Sequence, residues 1–422
     1  MVSIIHKLPL HCNSRDCSQA ANDLPARRER GTAIHHLLSS IFVAARFGCG
    51  FAALRAFAAL RSGAIACTIA SACLAAAPPA LTAEPGLVQD GSIPLPGVEG
   101  RLDHLAYDPA SQRLFVAALE NHTVEVVDLL RKKRIRQLTG ISEPQGLLYV
   151  PEHKRLLVCS RGDGTCRSFD ADTFAEGPWI DLGRNADNIR YDAAAKVVYI
   201  GSAGEPGTGL MSAIDLVSLL PANQGGRPAE PRSPADFLLD RPRQAEPKMD
   251  IALPSHPESF QLDPAHHRLL VNVPDAHQII VLQIGDQGFT NTAAWPATVG
   301  EKNFPMAFDP VSARLFIACR IPARLAAYDS STGKLLAQAP CVGDADDTFY
   351  AATTRKLYVV GGDGFADVFQ VAEPGTQLTL LAHVPTASRA RTGLFIPQTQ
   401  TLAVAAPHVN DGPAAVLLFQ AR

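Results

Sequence analysis

The chain has 422 residues, 47% hydrophobic and 19% charged, with 38 Lys+Arg against 41 Asp+Glu and a formal net charge of −3. This balance supplies a sizeable apolar core and excludes a disordered chain. The first 83 positions hold eight Lys/Arg but only three Asp/Glu, so residues 84–422 are distinctly acidic; without a basic stripe, a nucleic-acid partner is not expected.

From the N-terminus, Gly63 to Ala77 (GAIACTIASACLAAA) is an apolar run behind Arg55 and Arg61 that leads into small residues and Pro. That is the pattern of a secretory signal and is too short for a membrane span. Cleavage after Ala83, with Ala77 as the alternative, leaves a periplasmic or secreted mature chain with no membrane span. Cys73 follows Ala-Ser-Ala rather than the larger aliphatic residue of a lipoprotein site. No Met occurs between Met1 and Met211, which points to a start site assigned too far upstream, so residues 1–83 are set aside as a leader.

Leu87 to Pro96 (LVQDGSIPLP) reads as a strand, and seven copies of one pattern follow it. The first four are DHLAYDPASQRLFVAALENHTVEVVDL from Asp103, PQGLLYVPEHKRLLVCSRGDGTCRSFD from Pro144, DNIRYDAAAKVVYIGSAGEPGTGLMSAIDL from Asp187 and PESFQLDPAHHRLLVNVPDAHQIIVLQI from Pro257. The last three are NFPMAFDPVSARLFIACRIPARLAAYD from Asn303, DDTFYAATTRKLYVVGGDGFADVFQV from Asp346 and RTGLFIPQTQTLAVAAPHVNDGPAAVLLF from Arg391. Most starts lie about 40–46 residues apart, the period of a four-stranded propeller blade, and each short run is β-branched or aromatic and bounded by Gly, Pro, Asn or Asp.

The spacing predicts an all-β, seven-bladed β-propeller with four antiparallel strands per blade, spanning residues 84–422 as one domain. The last copy ends in a third strand at Ala415 to Gln420, so Leu87 to Pro96 is expected to close the last blade and remove its open edge. The one long interval holds a Pro- and Arg-rich stretch, Leu219 to Arg243. It reads as a loop inserted between the third and fourth strands of the third blade, with Lys248 to Leu253 resuming the blade. The basic run Arg131 to Arg136 falls where a solvated outer strand is expected.

Of nine cysteines, Cys159, Cys166, Cys319 and Cys341 lie beyond the leader. Cys159 and Cys166 flank one hairpin loop and face each other across it, which permits a disulfide in an oxidising compartment without selecting one. No CxxCH motif is present, so a covalently attached haem is not expected.

Aligning the copies on their Asp-Pro position gives one entrance position per blade: Asp103, Gln145, Asp187, Glu258, Phe304, Asp346 and Arg391. The next position gives His104, Gly146, Asn188, Ser259, Pro305, Asp347 and Thr392. Loops between second and third strands, which emerge on the same face, add His122, Asp163, Asp275, His277, Arg320, Asp363 and His408. The candidate ligand site is His104, Gln145, Asp187, Asn188, Glu258, His277, Asp346, Asp347, Arg391 and His408. Within it, Asp187, Asn188, Glu258 and Asp347 offer oxygen ligands to a divalent cation, and Arg391 an anchor for a carboxylate or phosphate. Asp and Asn at such junctions also cap their own backbone, which is the structural alternative for each of them.

The runs RLFVA, RLLVC, VVYIG, LLVNV, RLFIA and KLYVV, each followed about ten residues later by a VEVVDL-like strand, resemble the YVTN-repeat, YncE-like seven-bladed propellers. These are relatives of the propeller domains of nitrous-oxide reductase and cytochrome d1 nitrite reductase. The resemblance covers residues 87–422 and implies a binding or surface protein, and a monomer is expected; the redox relatives' haem motif and repeated His cluster have no counterpart here. Two functions follow. One is an extracytoplasmic propeller that binds a small molecule or protein partner at its entrance face. The other, by analogy to gluconolactonase-type propellers, is a metal-dependent hydrolase, lactonase or lyase.

Overall fold

A computed structural model of the protein describes residues 86–225, 244–373, 375–409 and 412–422. The expected leader, residues 1–83, and positions 226–243 of the inserted stretch lie outside the described residues.

Among the described residues there are seven sheets, antiparallel throughout except for one two-residue pairing at the edge of the second. Their first strands are Leu105–Asp108, Pro144–Val150, Ile189–Asp192, Phe260–Asp263, Glu301–Asp309, Ala345–Ala351 and Thr392–Ile396. Each first strand contacts the first strands of both neighbouring sheets, and the seventh contacts the first, so the inner strands close a ring around an axial channel. The sheets are therefore the blades of a seven-bladed propeller.

The repeated Asp has a local purpose. Asp108, Asp192 and Asp309 end their inner strands, and each carboxylate accepts a hydrogen bond from the backbone N–H two residues on, at 3.0, 2.9 and 3.1 Å. These side chains replace backbone partners in the tight turn to the second strand. The chain then passes through a left-handed residue, Gln112, Lys196 or Ala313, immediately before the second strand begins.

Middle strands are buried on both faces, as Thr123–Asp128 shows along its whole length, because each blade is sandwiched between two others. Outer strands alternate with solvent: Lys133–Thr139, which carries most of the basic run, is largely exposed. The core is accordingly divided into seven apolar clusters, one between each pair of adjacent blades.

Closure of the ring follows the expected scheme. Leu87–Pro94 pairs antiparallel with Ala415–Ala421, from Leu87 opposite Ala421 to Pro94 opposite Ala415, with a bulge between Gln89 and Gly91. Leu87 packs into the cluster between the sixth and seventh blades, and Ile93 into that between the seventh and first. The seam strand thus grips both neighbours.

Two features depart from the sequence reading. After the third strand of the third blade, Gly209–Asp215, the chain makes a turn of 3-10 helix at Leu216–Leu219 whose Leu216 and Leu219, with Leu220, enter the core between the second and third blades. The start of the supposed loop is therefore core. Before rejoining its blade at Met249–Leu253, the chain adds Gln244–Ala245 in parallel to Trp179 and Ile180, giving the second blade a fifth strand. Cys159 and Cys166 are register partners on adjacent strands and stand as buried free thiols. Burial pushes the Cys159 thiol well above its ordinary pKa, with Cys166 adding to the shift.

Candidate functional site

The entrance positions are set by a backbone bond that recurs from blade to blade. The N–H groups of Asp103, Asp187 and Glu258 donate to the second-strand carbonyls of Ala117, Gly201 and Asn272 at 2.7, 2.9 and 2.9 Å. The following residues, His104, Asn188 and Ser259, accept the return bond from the same three residues at 3.1, 3.0 and 3.1 Å. Consecutive residues of an extended chain point in opposite directions. The two aligned positions therefore serve two different cavities along the channel.

The first cavity, about 190 Å³, receives side chains from every blade: Arg101, Gln145 and Arg161, Asn185 and Asp187, His256 and Glu258, Phe304 and Arg320, Asp346, and Arg391. Its walls differ in charge. On one side Arg320 pairs with Asp346 at 2.7 Å and Asp344 at 3.3 Å while its guanidinium lies 4.0 Å from the Phe304 ring centre. Arg391 holds Asp344 at 3.0 Å, and Arg101 pairs with Asp103 at 2.7 Å and Asp346 at 3.7 Å.

Opposite them, Asp187, His256 and Glu258 each present a ligand atom within 4.8 Å of the others. His256 Nε2 lies 3.7 Å from the Asp187 carboxylate and 3.2 Å from Asn185 Nδ2. Among the buried polar atoms without a partner in this cavity are Gln145 Oε1, Asn185 Oδ1 and His256 Nδ1, with Nε of Arg101 and Arg391 on the other side. The two amide oxygens are acceptors, whereas His256 Nδ1 accepts or donates according to its protonation.

Burial sets the protonation of this cavity. It lifts Glu258 well above the usual carboxylate range, reinforced by Asp187 and Asp346 and opposed by Arg320 and His104. Burial also raises Asp103 to about 6 against the pull of Arg101, and raises Asp346 against Arg320 and Arg101.

His104 stands between the cavities. Its Nδ1 lies 3.5 Å from Asp347, and its Nε2 lies 3.6 Å from Asp103, 3.7 Å from Asp187 and 3.5 Å from Asn188 Nδ2. Burial disfavours the imidazolium, but the carboxylates of Asp347, Asp103 and Asp187 outweigh it and raise the pKa to about 10. His104 is thus a cation at neutral pH. The second cavity, about 510 Å³, begins at His104, Asn188 and Asp347 and runs down the channel.

The expected cation ligands are consequently divided. Asp187 and Glu258 share the first cavity, whereas Asn188 and Asp347 face His104 and line the second. Asp347 also accepts a hydrogen bond from Gly393 N–H at 2.9 Å. Gln145, Asp346 and Arg391 reach the first cavity, but two expected residues reach neither. His277 is an exposed, left-handed residue ending a short turn, and His408 is bound to the Glu99 carboxylate in a separate surface hollow.

Four of the side chains missing from the sequence reading share one spacing, while Arg161 comes from the loop after the second strand of its blade. Arg101, Asn185, His256 and Asp344 each sit two positions before an aligned residue, Asp103, Asp187, Glu258 and Asp346. Asn185 and Asp344 are left-handed residues, with φ of 47° and 52°, so for these two a turn rather than strand alternation sets the direction of the side chain. A period-two extension upstream of the alignment finds all four.

No family model matches the chain, and no curated protein matches it. Among solved structures, it is similar to a chain in the crystal structure of the mitotic checkpoint complex, with a TM-score of 0.61 and 12% identity over 82% of this chain and 95% of that one. It is also similar to hydrazine synthase of Kuenenia stuttgartiensis, with a TM-score of 0.57 and 13% identity over 74% and 94% of the two chains. At these identities the likeness is one of fold, the β-propeller. Among the described residues no helix is long and apolar enough to cross a membrane.

Proposed function

We propose that the protein is an extracytoplasmic binding propeller of the YVTN-repeat, YncE-like kind, exported by its leader, which takes a small charged ligand or the charged end of a protein partner in the 190 Å³ cavity. The carrying observation is the set of unsatisfied acceptors there, above all Oε1 of Gln145, a residue only 7% exposed. An unpaired buried polar atom costs about 1–3 kcal/mol, which a bound ligand recovers. The two walls select a molecule with both signs of charge: a cationic group toward Asp187, with Glu258 beside it as a hydrogen-bonding partner, and an anionic group toward Arg320 and Arg391.

The second reading, a metal-dependent hydrolase, lactonase or lyase, is favoured by one observation, the convergence of Asp187, His256 and Glu258 within 4.8 Å. These three, with the amide oxygens of Asn185 and Gln145, form a mixed oxygen and nitrogen donor set suited to a divalent ion. Such an ion would lower the pKa of a bound water. Burial lifts Glu258 above the usual carboxylate range, and a bound ion would oppose that shift by favouring the ionised carboxylate.

Thermal melting with calcium, magnesium, manganese, zinc or chelator, for wild type and Glu258→Gln, separates the readings. A divalent ion at about 100 times its Kd adds ~2.7 kcal/mol to the wild type, and Glu258→Gln is expected to abolish most of that gain. Stabilisation by a zwitterionic amino acid but by no ion leaves the binding reading alone. Stabilisation by neither removes both.

A further inference from the structure

The second cavity has a chemistry of its own. Its 510 Å³ lies within the roughly 300–1,000 Å³ typical of small-molecule sites. Leu148, Tyr149, Met306, Phe349, Leu394 and Phe395 make its walls predominantly apolar. The charged residues lining it are His104, Asp347 and Arg190, on the inner strands of the first, sixth and third blades or just before them.

Their charges do not cancel. Asp347 is matched by the His104 imidazolium at 3.5 Å and takes the Gly393 N–H as well. Arg190 has no carboxylate at ion-pair distance among the described residues. Its Nη1 donates to the Ile189 carbonyl at 2.8 Å, its Nη2 reaches Ser259 Oγ at 3.4 Å, and the group lies 5.4 Å from the Phe260 ring centre. A guanidinium carries five N–H donors and stays charged, so most of its capacity is unused. Burial lowers its pKa, with Asp347 and Asp187 too distant to restore it, as expected of a cation stripped of water without a close counter-ion.

We propose that this cavity binds an organic anion, with a carboxylate or sulfonate head on Arg190 and a flat apolar body against the aromatic walls. The apolar lining excludes a fully hydrated ion, and the open donors of Arg190 favour an acceptor over an organic cation. A bidentate anion supplies Arg190 with the planar acceptor pair that its fork geometry fits. This site does not depend on what fills the smaller cavity above His104, with which it shares no lining residue.

Anilinonaphthalene sulfonate and uncharged phenylnaphthylamine, two fluorescent probes of similar body, test the proposal on the full chain. The sulfonate should bind saturably, one per chain. Arg190→Met should weaken it about tenfold or more, the loss of a charge-assisted hydrogen bond, while leaving the neutral probe within about twofold. Leu148→Trp, which fills the cavity and leaves Arg190 in place, should weaken both probes; it keeps the test alive should Arg190→Met fail to fold. Sulfonate binding that is unsaturable, or unchanged by either variant, overturns the proposal.

Discussion

At the scale of single residues the channel is governed by His104, whose charge is stabilised by carboxylates from the first, third and sixth blades. An imidazole raised from 6.5 to about 10 contributes stability that is fully present below pH 6.5 and is lost as the pH climbs toward 10. Asp103 acts in the same sense at lower pH: raised from 3.8 to about 6, its contribution is complete below 3.8 and lost as the pH rises through 6. At ~1.4 kcal/mol per pKa unit the histidine span is worth a few kcal/mol at most. The urea midpoint of the wild type should therefore fall between pH 6.5 and 10, and His104→Gln should flatten that fall; parallel pH profiles for the two proteins would show that His104 is uncoupled from its carboxylates.

Much of this was legible from the alignment of the copies, because the recurring backbone bond makes one register position equivalent in the first, third and fourth blades. The alignment could not separate Asp187 from Asn188 by cavity without the alternation of the extended chain. Nor could it foresee that His277 would end a turn facing solvent, since loop position alone does not fix side-chain direction.

At the scale of elements, the seam strand carries more than its hydrogen bonds. Leu87 and Ile93 are 1% and 0% exposed and lie in different clusters, with Leu95 beyond them at 0%. Burying one such side chain is worth ~1.5–3 kcal/mol. A chain beginning at Gly97 should therefore lose about 5 kcal/mol or more relative to one beginning at Glu84, as read by urea denaturation. Equal midpoints would mean that the Ala415–Ala421 edge tolerates solvent.

The element that escaped the sequence is Gln244–Ala245. A two-residue parallel pairing has no period to read, and its partner strand, Glu176–Asp181, gives no sign of a further neighbour. Leu216, Leu219 and Leu220 were hidden differently: an apolar cluster next to a Pro-rich stretch looks like loop until the adjacent blade is seen to lack cover.

At the scale of the molecule, no blade owns a core. Each apolar cluster is shared by two blades, so damage at one interface is felt around the ring. Phe419, 0% exposed between the sixth and seventh blades, is a suitable probe. Phe419→Ala should cost ~3–5 kcal/mol. It should lower the transitions reported by Trp179 and Trp295, in the second and fourth blades, by the same amount as that of far-ultraviolet circular dichroism. Separate transitions would divide the ring into independently melting arcs.

The pairing of Leu87 with Ala421 also fixes an order of events. Among the described strands the first in chain order pairs with the last, so a ribosome or export channel that delivers the chain from its N-terminus releases Leu87–Pro94 and six blades before the three strands that complete the seventh. Until Ala415–Ala421 arrives, Leu87–Pro94 has no strand to pair with and Leu87 and Ile93 lack their cover. Closing so long a loop is entropically costly and slow. That interval is when the molecule is most exposed to aggregation and most in need of a holding chaperone.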